Sequence, residues 1–219
     1  TSINFKAAKS DSEIHNFRKK SFDYIRKDLT HKNEYWMEQK IADRLLKIEA
    51  LCKEKSGRKL QKNAMPIREA VVVIKENTTM QDLHNLSKRL EEELKIRVFQ
   101  IAIHKDEGHY DKETNEWKPN YHAHLVADWQ DLETGKTLKH QSFHYSKMQD
   151  LAAECLEMER GVSGSLTRLE AVEFKIKKKE EDLKILEERY SQMQQEMESK
   201  RSEELIVKES DFLGFQKIK

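Results

Sequence analysis

Hydrophobic residues follow two spacings along the chain, and these spacings predict the order of strands and helices. Alternating apolar residues or short β-branched runs predict strands over 1–8, 70–74, 96–104 and 121–127, with another short strand after the glycine turn in 132–138. Apolar residues at helical spacing predict helices over 35–51, 80–94 and 146–160. The segment 9–33 is basic and polar with scattered apolar residues, and polar stretches predict loops over 53–62 and 108–120. This order of elements is typical of an α+β fold.

The C-terminal part has a different pattern, with dense charge and neither glycine nor proline from Leu166 to about Lys200. Apolar residues recur there every seven positions, at Leu169, Ile176, Leu183, Tyr190 and Met197. The heptads predict one long helix that pairs with a second copy or another protein, whereas the charge also fits a single solvated helix. We therefore divide the chain into a mixed domain, 1–162, and a charged helical segment, 163–219.

Composition narrows the classes of function. The chain has 219 residues, and its 41 Lys and Arg against 40 Asp and Glu give a formal charge of +1, so binding to nucleic acid must rest on local basic patches. No apolar run is long enough to span a bilayer, and no secretory leader opens the chain. Only two cysteines are present, which excludes a disulfide scaffold and makes the reducing cytoplasm the expected location.

Three histidines lie at positions that favour a metal site. His122 and His124 are two apart in a predicted strand, so their side chains share one face. His104 ends the preceding strand, where we expect it to share a face with Val98, Gln100 and Ala102, opposite Phe99, Ile101 and Ile103. If the two strands pair as antiparallel neighbours, three imidazoles converge on one point. Three histidines that leave an open position are typical of a catalytic metal site, and the spacing alone does not select the metal.

Three motifs together resemble the MobV, or Mob/Pre, family of plasmid mobilization relaxases, which belong to the HUH endonucleases. His104-Lys105-Asp106-Glu107 and His122-Ala123-His124 match the two halves of the family's metal motif, and His15-Asn16-Phe17-Arg18 matches its N-terminal motif. A softer match follows at 159–161 and 171–175. The chain departs from the family in the longer segment 108–121, which adds His109 as a possible extra ligand.

The resemblance implies a fold, a metal and a reaction. The implied fold is an antiparallel sheet of about five strands with helices mainly on one face, followed by the long C-terminal helix. The three histidines of the metal motif would hold Mn²⁺, or alternatively Mg²⁺. His15 would attack a DNA phosphodiester and form a covalent adduct with the 5′ phosphate, Arg18 would pair with a phosphate oxygen, and Glu107 would orient or deprotonate a neighbour. Tyr24 and Tyr35 are the rival nucleophiles.

The implied substrate is the extruded single strand at an origin of transfer, and conjugation proteins are further implied partners. The residues expected to bind DNA are polar or basic and lie near the nucleophile or on the second loop: Asn16, Lys19, Lys20, Arg26, Lys27, Arg58 and Lys59. Aromatic residues such as Trp36 and Trp117 offer surfaces on which bases stack. Two alternatives stay open: a metal-dependent hydrolase of unrelated type, and a non-catalytic DNA-binding or coiled-coil protein with a structural metal.

Overall fold

Five antiparallel strands form the central sheet of the protein in a computed structural model that describes residues 1–22, 24–111, 113–161, 179–180 and 183–199. The strands of this sheet are β1 (Ile3–Ala7), β2 (Glu34–Met37), β3 (Ile67–Val73), β4 (Arg97–His104) and β7 (His122–Asp128). Their order is β1-β3-β7-β4-β2, which places the two histidine-bearing strands, β4 and β7, side by side at its centre. A separate hairpin consists of β5 (Gly108–Tyr110) and β6 (Trp117–Pro119).

Helices lie on both faces of the sheet. They are α1 (Ser12–Asn16), α2 (Ile41–Ser56), α3 (Met80–Leu94) and α4 (Ser142–Cys155), and a 3-10 helix covers Lys27–Lys32. Leucines of α3 and α4 pack with Ile101 and Leu125 in the main core on one face. On the opposite face, Ile48 of α2 packs with Phe99 in a smaller cluster. The predicted α+β fold with a five-stranded antiparallel sheet is confirmed, whereas the helices, expected mainly on one face, are divided between the two faces.

The predicted helix over 35–51 is wrong at its start. Residues Glu34–Met37 form the edge strand β2, where Tyr35 and Trp36 lie opposite Ala102 and Ile101 of β4. The aromatic residues match the helical spacing of the segment, but they also suit a strand, and the open edge of β4 decides the outcome. The helix itself begins at Ile41 and ends at Ser56, and the φ of 67° at the following Gly57 gives the left-handed C-terminal turn.

A β-bulge reverses the expected faces of two residues on β4. The register with β7 shifts between Val98 and Gln100. Val98 therefore packs in the main core with Ile101, and Phe99 packs with Val126 on the histidine face. One extra residue in a strand reverses the alternation on one side of it, and the periodicity alone does not reveal the bulge.

Other elements also differ from the predictions. The helix expected over 146–160 spans Ser142–Cys155, and the left-handed conformation of Glu157, with a φ of 49°, lies just beyond its end. The segment 108–120, expected to be a loop, contains the β5–β6 hairpin. The strand expected after the glycine turn in 132–138 is reduced to a single bridge between Gln130 and Thr137.

The protein falls into two units, Thr1–Gly161 and Val162–Lys219. In the second unit, residues 183–199 are helical, and Leu183, Leu186, Tyr190, Met193 and Met197 are exposed. The heptad positions Leu169 and Ile176 lie outside the described residues. Among the residues that the structure describes, none of the helices combines the length and hydropathy of a membrane span.

Thr79 caps the N-terminus of α3, and its loss should lower the stability of the fold measurably. Its side chain accepts a hydrogen bond from the Asp82 backbone N–H, and the Asp82 carboxylate accepts one from the Thr79 N–H at 2.8 Å. Thr79→Ala should lower the free energy of unfolding by about 1 kcal/mol. Urea denaturation measures the change, and Asn85→Ala, in the middle of the same helix, should be close to neutral. Equal effects would contradict the capping role.

Candidate active site

Four histidines converge on the face of the central strands that lies opposite the main core. His104 lies opposite His122 in the β4–β7 ladder, and His124 lies opposite Ala102, so all three side chains point to one face. His15, from α1, joins them, and one ring nitrogen from each of the four lies within 4.8 Å of the others. The strand histidines are buried, whereas His15 is half-buried. The structure thus brings together the three residues expected to hold a metal and the expected nucleophile.

Hydrogen bonds orient the three strand imidazoles. His104 Nε2 lies 2.9 Å from the carbonyl of Asn16, and His122 Nδ1 lies 2.8 Å from the carbonyl of Asn120. His124 Nδ1 lies 2.6 Å from Glu69 Oε1. Each ring therefore has its other nitrogen available to the centre of the cluster.

The surroundings of His124 Nε2, a buried ring nitrogen, indicate that a cation fits this cluster. It has no hydrogen-bond partner among the described residues. An unpartnered buried nitrogen is costly unless a ligand completes it. His104 Nδ1 and His122 Nε2 lie 3.3 Å apart beside it. Imidazole nitrogens in this arrangement are suitable donors for a divalent transition-metal ion.

His15 lies between a tyrosine and a carboxylate. Its Nδ1 is 3.3 Å from Tyr24 Oη, and its Nε2 is 3.5 Å from Glu107 Oε1. Burial, reinforced by the nearby His124, lowers the pKa of His15 to about 4. The imidazole is therefore neutral at pH 7, which is the form that can act as a nucleophile.

Glu107 faces the centre of the cluster. Its carboxylate is 3.5 Å from His104 Nδ1 and 3.8 Å from His122 Nε2. Burial alone would raise the pKa of Glu107, but the hydrogen bond to His104 and the charges of His122 and Arg18 lower it to about 2. At neutral pH this side chain is thus an acceptor only.

Arg18 is engaged by two carboxylates in the structure. Its Nη2 is 2.6 Å from Asp106 Oδ1 and 2.7 Å from Glu107 Oε1, and its Nε donates to Asp106 Oδ2 at 3.1 Å. Its Nη1 donates to the carbonyl of His15. The backbone of Arg18 has a φ of 50°, a region that a residue other than glycine adopts at a cost and that these contacts maintain. Every nitrogen of this guanidinium therefore already donates to a partner within the protein. The expected pairing of Arg18 with a phosphate oxygen stays a prediction.

Asp106 was part of the sequence motif but had no assigned role. It is fully buried, and besides Arg18 it accepts hydrogen bonds from Thr30 Oγ1 at 3.1 Å and Asn33 Nδ2 at 2.7 Å. Burial would raise the pKa of Asp106, and the hydrogen bonds from Arg18 and Asn33 lower it. This carboxylate thus fastens the segment after α1 to the end of β4.

The hydroxyl groups of the rival tyrosines have different partners. Tyr24 reaches His15, as described above, while Tyr35 Oη accepts a hydrogen bond from Asn33 Nδ2 at 3.1 Å. The ring of Tyr35 is 6.5 Å from that of His104. His109, the possible extra ligand, is exposed on β5 and is not among the four clustered histidines.

The residues expected to bind DNA occupy two places. Asn16 is buried and donates to Glu69, whereas Lys19 and Lys20 are exposed just after α1. Arg26 pairs with Asp28 and lies 5.2 Å from the ring centre of Trp117, on the hairpin. The remaining three are exposed: Lys27, Arg58 and Lys59. No described hydrogen bond or ion pair joins Arg58 or Lys59 to the histidines.

A groove of about 560 Å³ opens beside His15 and His124. Lys6 and Lys9 line it, together with Phe22 and Tyr24. The rings of Phe22 and Tyr24 are stacked, with centres 5.5 Å apart and planes 18° from parallel. The sequence indicated Tyr24 as a rival nucleophile, but it gave no signal for Phe22.

Glu69 is the residue that sequence reasoning missed altogether. The predicted strand began at Ala70, whereas β3 begins at Ile67 and includes Glu69. Alternation along the longer strand places Glu69 on the face of Val71, which lies opposite His124. An acidic residue that interrupts a β-branched strand was the available signal.

The fold matches solved structures of one relaxase domain. A Mn-bound crystal structure of the MobM relaxase domain (MOBV; Mob_Pre) bound to plasmid pMV158 oriT DNA of 22 nt is 16% identical, with a TM-score of 0.55, and the match covers 74% of this chain and 91% of that one. A Mn-bound structure with oriT DNA of 23 nt is 13% identical, with a TM-score of 0.51 and coverage of 74% and 89%.

No protein-family model and no curated protein sequence matches the chain. At these identities the structural likeness establishes the fold. The fold is that of a MobV relaxase domain, so the resemblance drawn from the sequence motifs is confirmed at that level.

Proposed function

We propose that the protein is a relaxase that nicks one DNA strand at an origin of transfer of a plasmid or other mobilizable element and later rejoins it. The observation that carries this proposal is the position of His15. A neutral imidazole lies at the rim of a buried histidine cluster and at the end of an open groove. A structural metal site would be closed, whereas this cluster reaches the solvent through His15.

The proposed chemistry is a transesterification rather than a hydrolysis. A ring nitrogen of His15 attacks the scissile phosphorus, a nitrogen–phosphorus bond forms to the 5′ phosphate, and the bond to the 3′ oxygen breaks. The imidazole proton ends on the leaving oxygen, which becomes a 3′ hydroxyl, and the reverse attack by that hydroxyl rejoins the strand. Ionised Glu107, 3.5 Å from Nε2, can accept the hydrogen bond that leaves Nδ1 available for the attack.

His104, His122 and His124 would hold a divalent cation, with Mn²⁺ favoured and Mg²⁺ as the alternative. When bound, that cation supplies positive charge that stabilises the developing phosphate charge. Arg18 would act indirectly, because its contacts with Asp106 and Glu107 hold the Glu107 carboxylate in the position that faces His15.

We assign the single strand to the groove beside His15. Lys6 and Lys9 would contact its phosphates, and the stacked rings of Phe22 and Tyr24 would support a base. Both cysteines, Cys52 and Cys155, are free, which fits the cytoplasmic location expected for this reaction.

The test uses supercoiled DNA that carries the candidate origin, incubated with the protein and Mn²⁺ and then denatured. A relaxase leaves nicked DNA covalently joined to protein, and chelation of the metal with EDTA prevents it. Nicking without an adduct would instead identify an ordinary metal-dependent hydrolase. Binding of origin DNA without nicking under any divalent metal would identify a non-catalytic DNA-binding protein.

We further propose that the C-terminal helix pairs with a second copy of the chain, with conjugation proteins as further partners of the same segment. In residues 183–199 all the exposed large apolar side chains except Ile185 follow the three-and-four spacing of a coiled-coil seam. Leu186→Lys should therefore weaken dimers by more than 100-fold, since about 3–6 kcal/mol of burial is lost over two chains. Light scattering measures the mass of the particle in solution. Ile185→Lys, which lies off the seam, is the control and should dimerise as the wild type does. A monomeric wild type would favour the single solvated helix.

A further inference from the structure

Glu69, on β3, contacts both a strand histidine of the cluster and the helix α1, which carries His15. Its carboxylate accepts hydrogen bonds from His124 Nδ1 at 2.6 Å and from Asn16 Nδ2 at 2.8 Å. The hydroxyl of Ser12 donates a third, to Oε2. One side chain of β3 thus contacts a strand histidine and both ends of the short helix that carries His15.

The first contact determines which nitrogen of His124 faces the cluster. A carboxylate can only accept, so the hydrogen bond requires the proton of His124 to lie on Nδ1. Nε2 then keeps its lone pair, and this is the buried nitrogen that has no partner among the described residues. Carboxylates in this position fix the ring and raise the basicity of a metal-binding imidazole.

The other two contacts hold α1 in place. This helix has only five residues, Ser12–Asn16, and none of its N-terminal N–H groups is capped by the Asp11 side chain. Ser12 and Asn16 are four residues apart, so both lie on the helix face that meets Glu69, with His15 just beside it. The Asn16 carbonyl also faces His104 Nε2, at 2.9 Å.

We infer that Glu69 is a positioning residue with two tasks: it presents Nε2 of His124 to a divalent cation and it fixes α1 so that His15 meets the cluster. The inference rests on the proposed function, but its first half concerns metal binding alone. It adds a residue to the site that neither the histidine motif nor the N-terminal motif contains.

The first experiment measures Glu69→Gln in the full chain without DNA. The substitution keeps the size of the side chain but removes its negative charge. It also replaces one accepting oxygen with an NH₂ donor, either Oε2, which faces Ser12, or Oε1, which faces His124 and Asn16. Titration with Mn²⁺, followed by the electron paramagnetic resonance of free Mn²⁺, should show a dissociation constant raised by about 10- to 100-fold. Glu91→Gln, exposed on α3, is the matched control and should bind Mn²⁺ as the wild type does.

A second readout needs neither metal nor variant. In the metal-free wild type, ¹⁵N NMR of the His124 ring should show the proton on Nδ1. A proton on Nε2 would overturn the inference, whether or not Glu69→Gln folds. Unchanged Mn²⁺ affinity in folded Glu69→Gln would overturn it as well.

Ser12→Ala separates the two tasks. It removes one contact with α1 and leaves His124 untouched, so Mn²⁺ affinity should stay unchanged while the rate of adduct formation falls by about fivefold. A loss of Mn²⁺ affinity equal to that of Glu69→Gln would mean general loosening and would contradict the inference. If Mn²⁺ binding depends on Glu69 but no variant or wild type forms an adduct, the positioning of His124 stands and the proposed relaxase function fails.

Discussion

Replacement of His15 by alanine should lower the rate of covalent adduct formation by about 1,000-fold or more, because it removes the nitrogen that forms the bond to phosphorus. The measurement is single-turnover nicking of origin DNA, with the adduct detected after denaturation. The adduct of the wild type should also be labile in acid, as expected for a nitrogen–phosphorus bond. Mn²⁺ binding should persist in His15→Ala, since His104, His122 and His124 remain on the strands.

Tyr24→Phe is the matched control for the nucleophile. The substitution keeps the ring stacked on Phe22 and removes only the hydroxyl, 3.3 Å from His15 Nδ1. If the hydroxyl merely orients His15, adduct formation should fall by about fivefold, the value of one hydrogen bond. A reversed result, in which Tyr24→Phe abolishes the adduct and His15→Ala retains it, would transfer the nucleophile to the tyrosine.

If His15→Ala loses Mn²⁺ binding as well as adduct formation, the result has a different meaning. The four imidazoles are close enough for His15 to act as a fourth ligand. In that case His15→Ala would lower Mn²⁺ affinity along with nicking, and the site would be closed before DNA arrives. Parallel measurement of Mn²⁺ binding therefore decides between a nucleophile and a ligand.

The convergence of the strand histidines could be predicted because it depends on local rules. Alternation fixes the face of His122 and His124, and a hairpin connection makes β4 and β7 antiparallel neighbours. Even the bulge near Val98 left this prediction intact, because the register is regular again from Gln100 to His104. The bulge changed only the faces before it.

Contacts between distant segments were beyond the same rules. The proximity of His15 to the strands came from a family resemblance, since no periodicity links α1 to β4. Glu69 and Asp106 each join segments more than 50 positions apart in the sequence, through hydrogen bonds that depend on the finished fold. The edge strand at Tyr35 was missed for a similar reason: its partner on β4 lies far away in sequence, and tertiary pairing overrides local spacing.

The second large effect is expected on stability. Asp106→Ala should lower the free energy of unfolding by about 3–5 kcal/mol, because it leaves the guanidinium of Arg18 buried without two of its four hydrogen bonds. The side chain of Arg18 is only 8% exposed and that of Asp106 is 0% exposed. Thr30 and Asn33 would lose an acceptor at the same time. Urea denaturation in the presence of EDTA measures the change without a contribution from metal.

Asp150→Ala provides the comparison with an exposed ion pair. Asp150 lies 2.6 Å from Arg160, at the same distance that separates Arg18 from Asp106, but both side chains of the Asp150 pair are about two-fifths exposed. Its loss should therefore cost no more than about 1 kcal/mol. If the two substitutions cost the same, burial would add nothing to the Arg18 pair, and the left-handed backbone of Arg18 would need another source of support. If Asp106→Ala is much the worse, the same carboxylate both stabilises the fold and holds Glu107 against His15, so adduct formation should fall even where the variant remains folded.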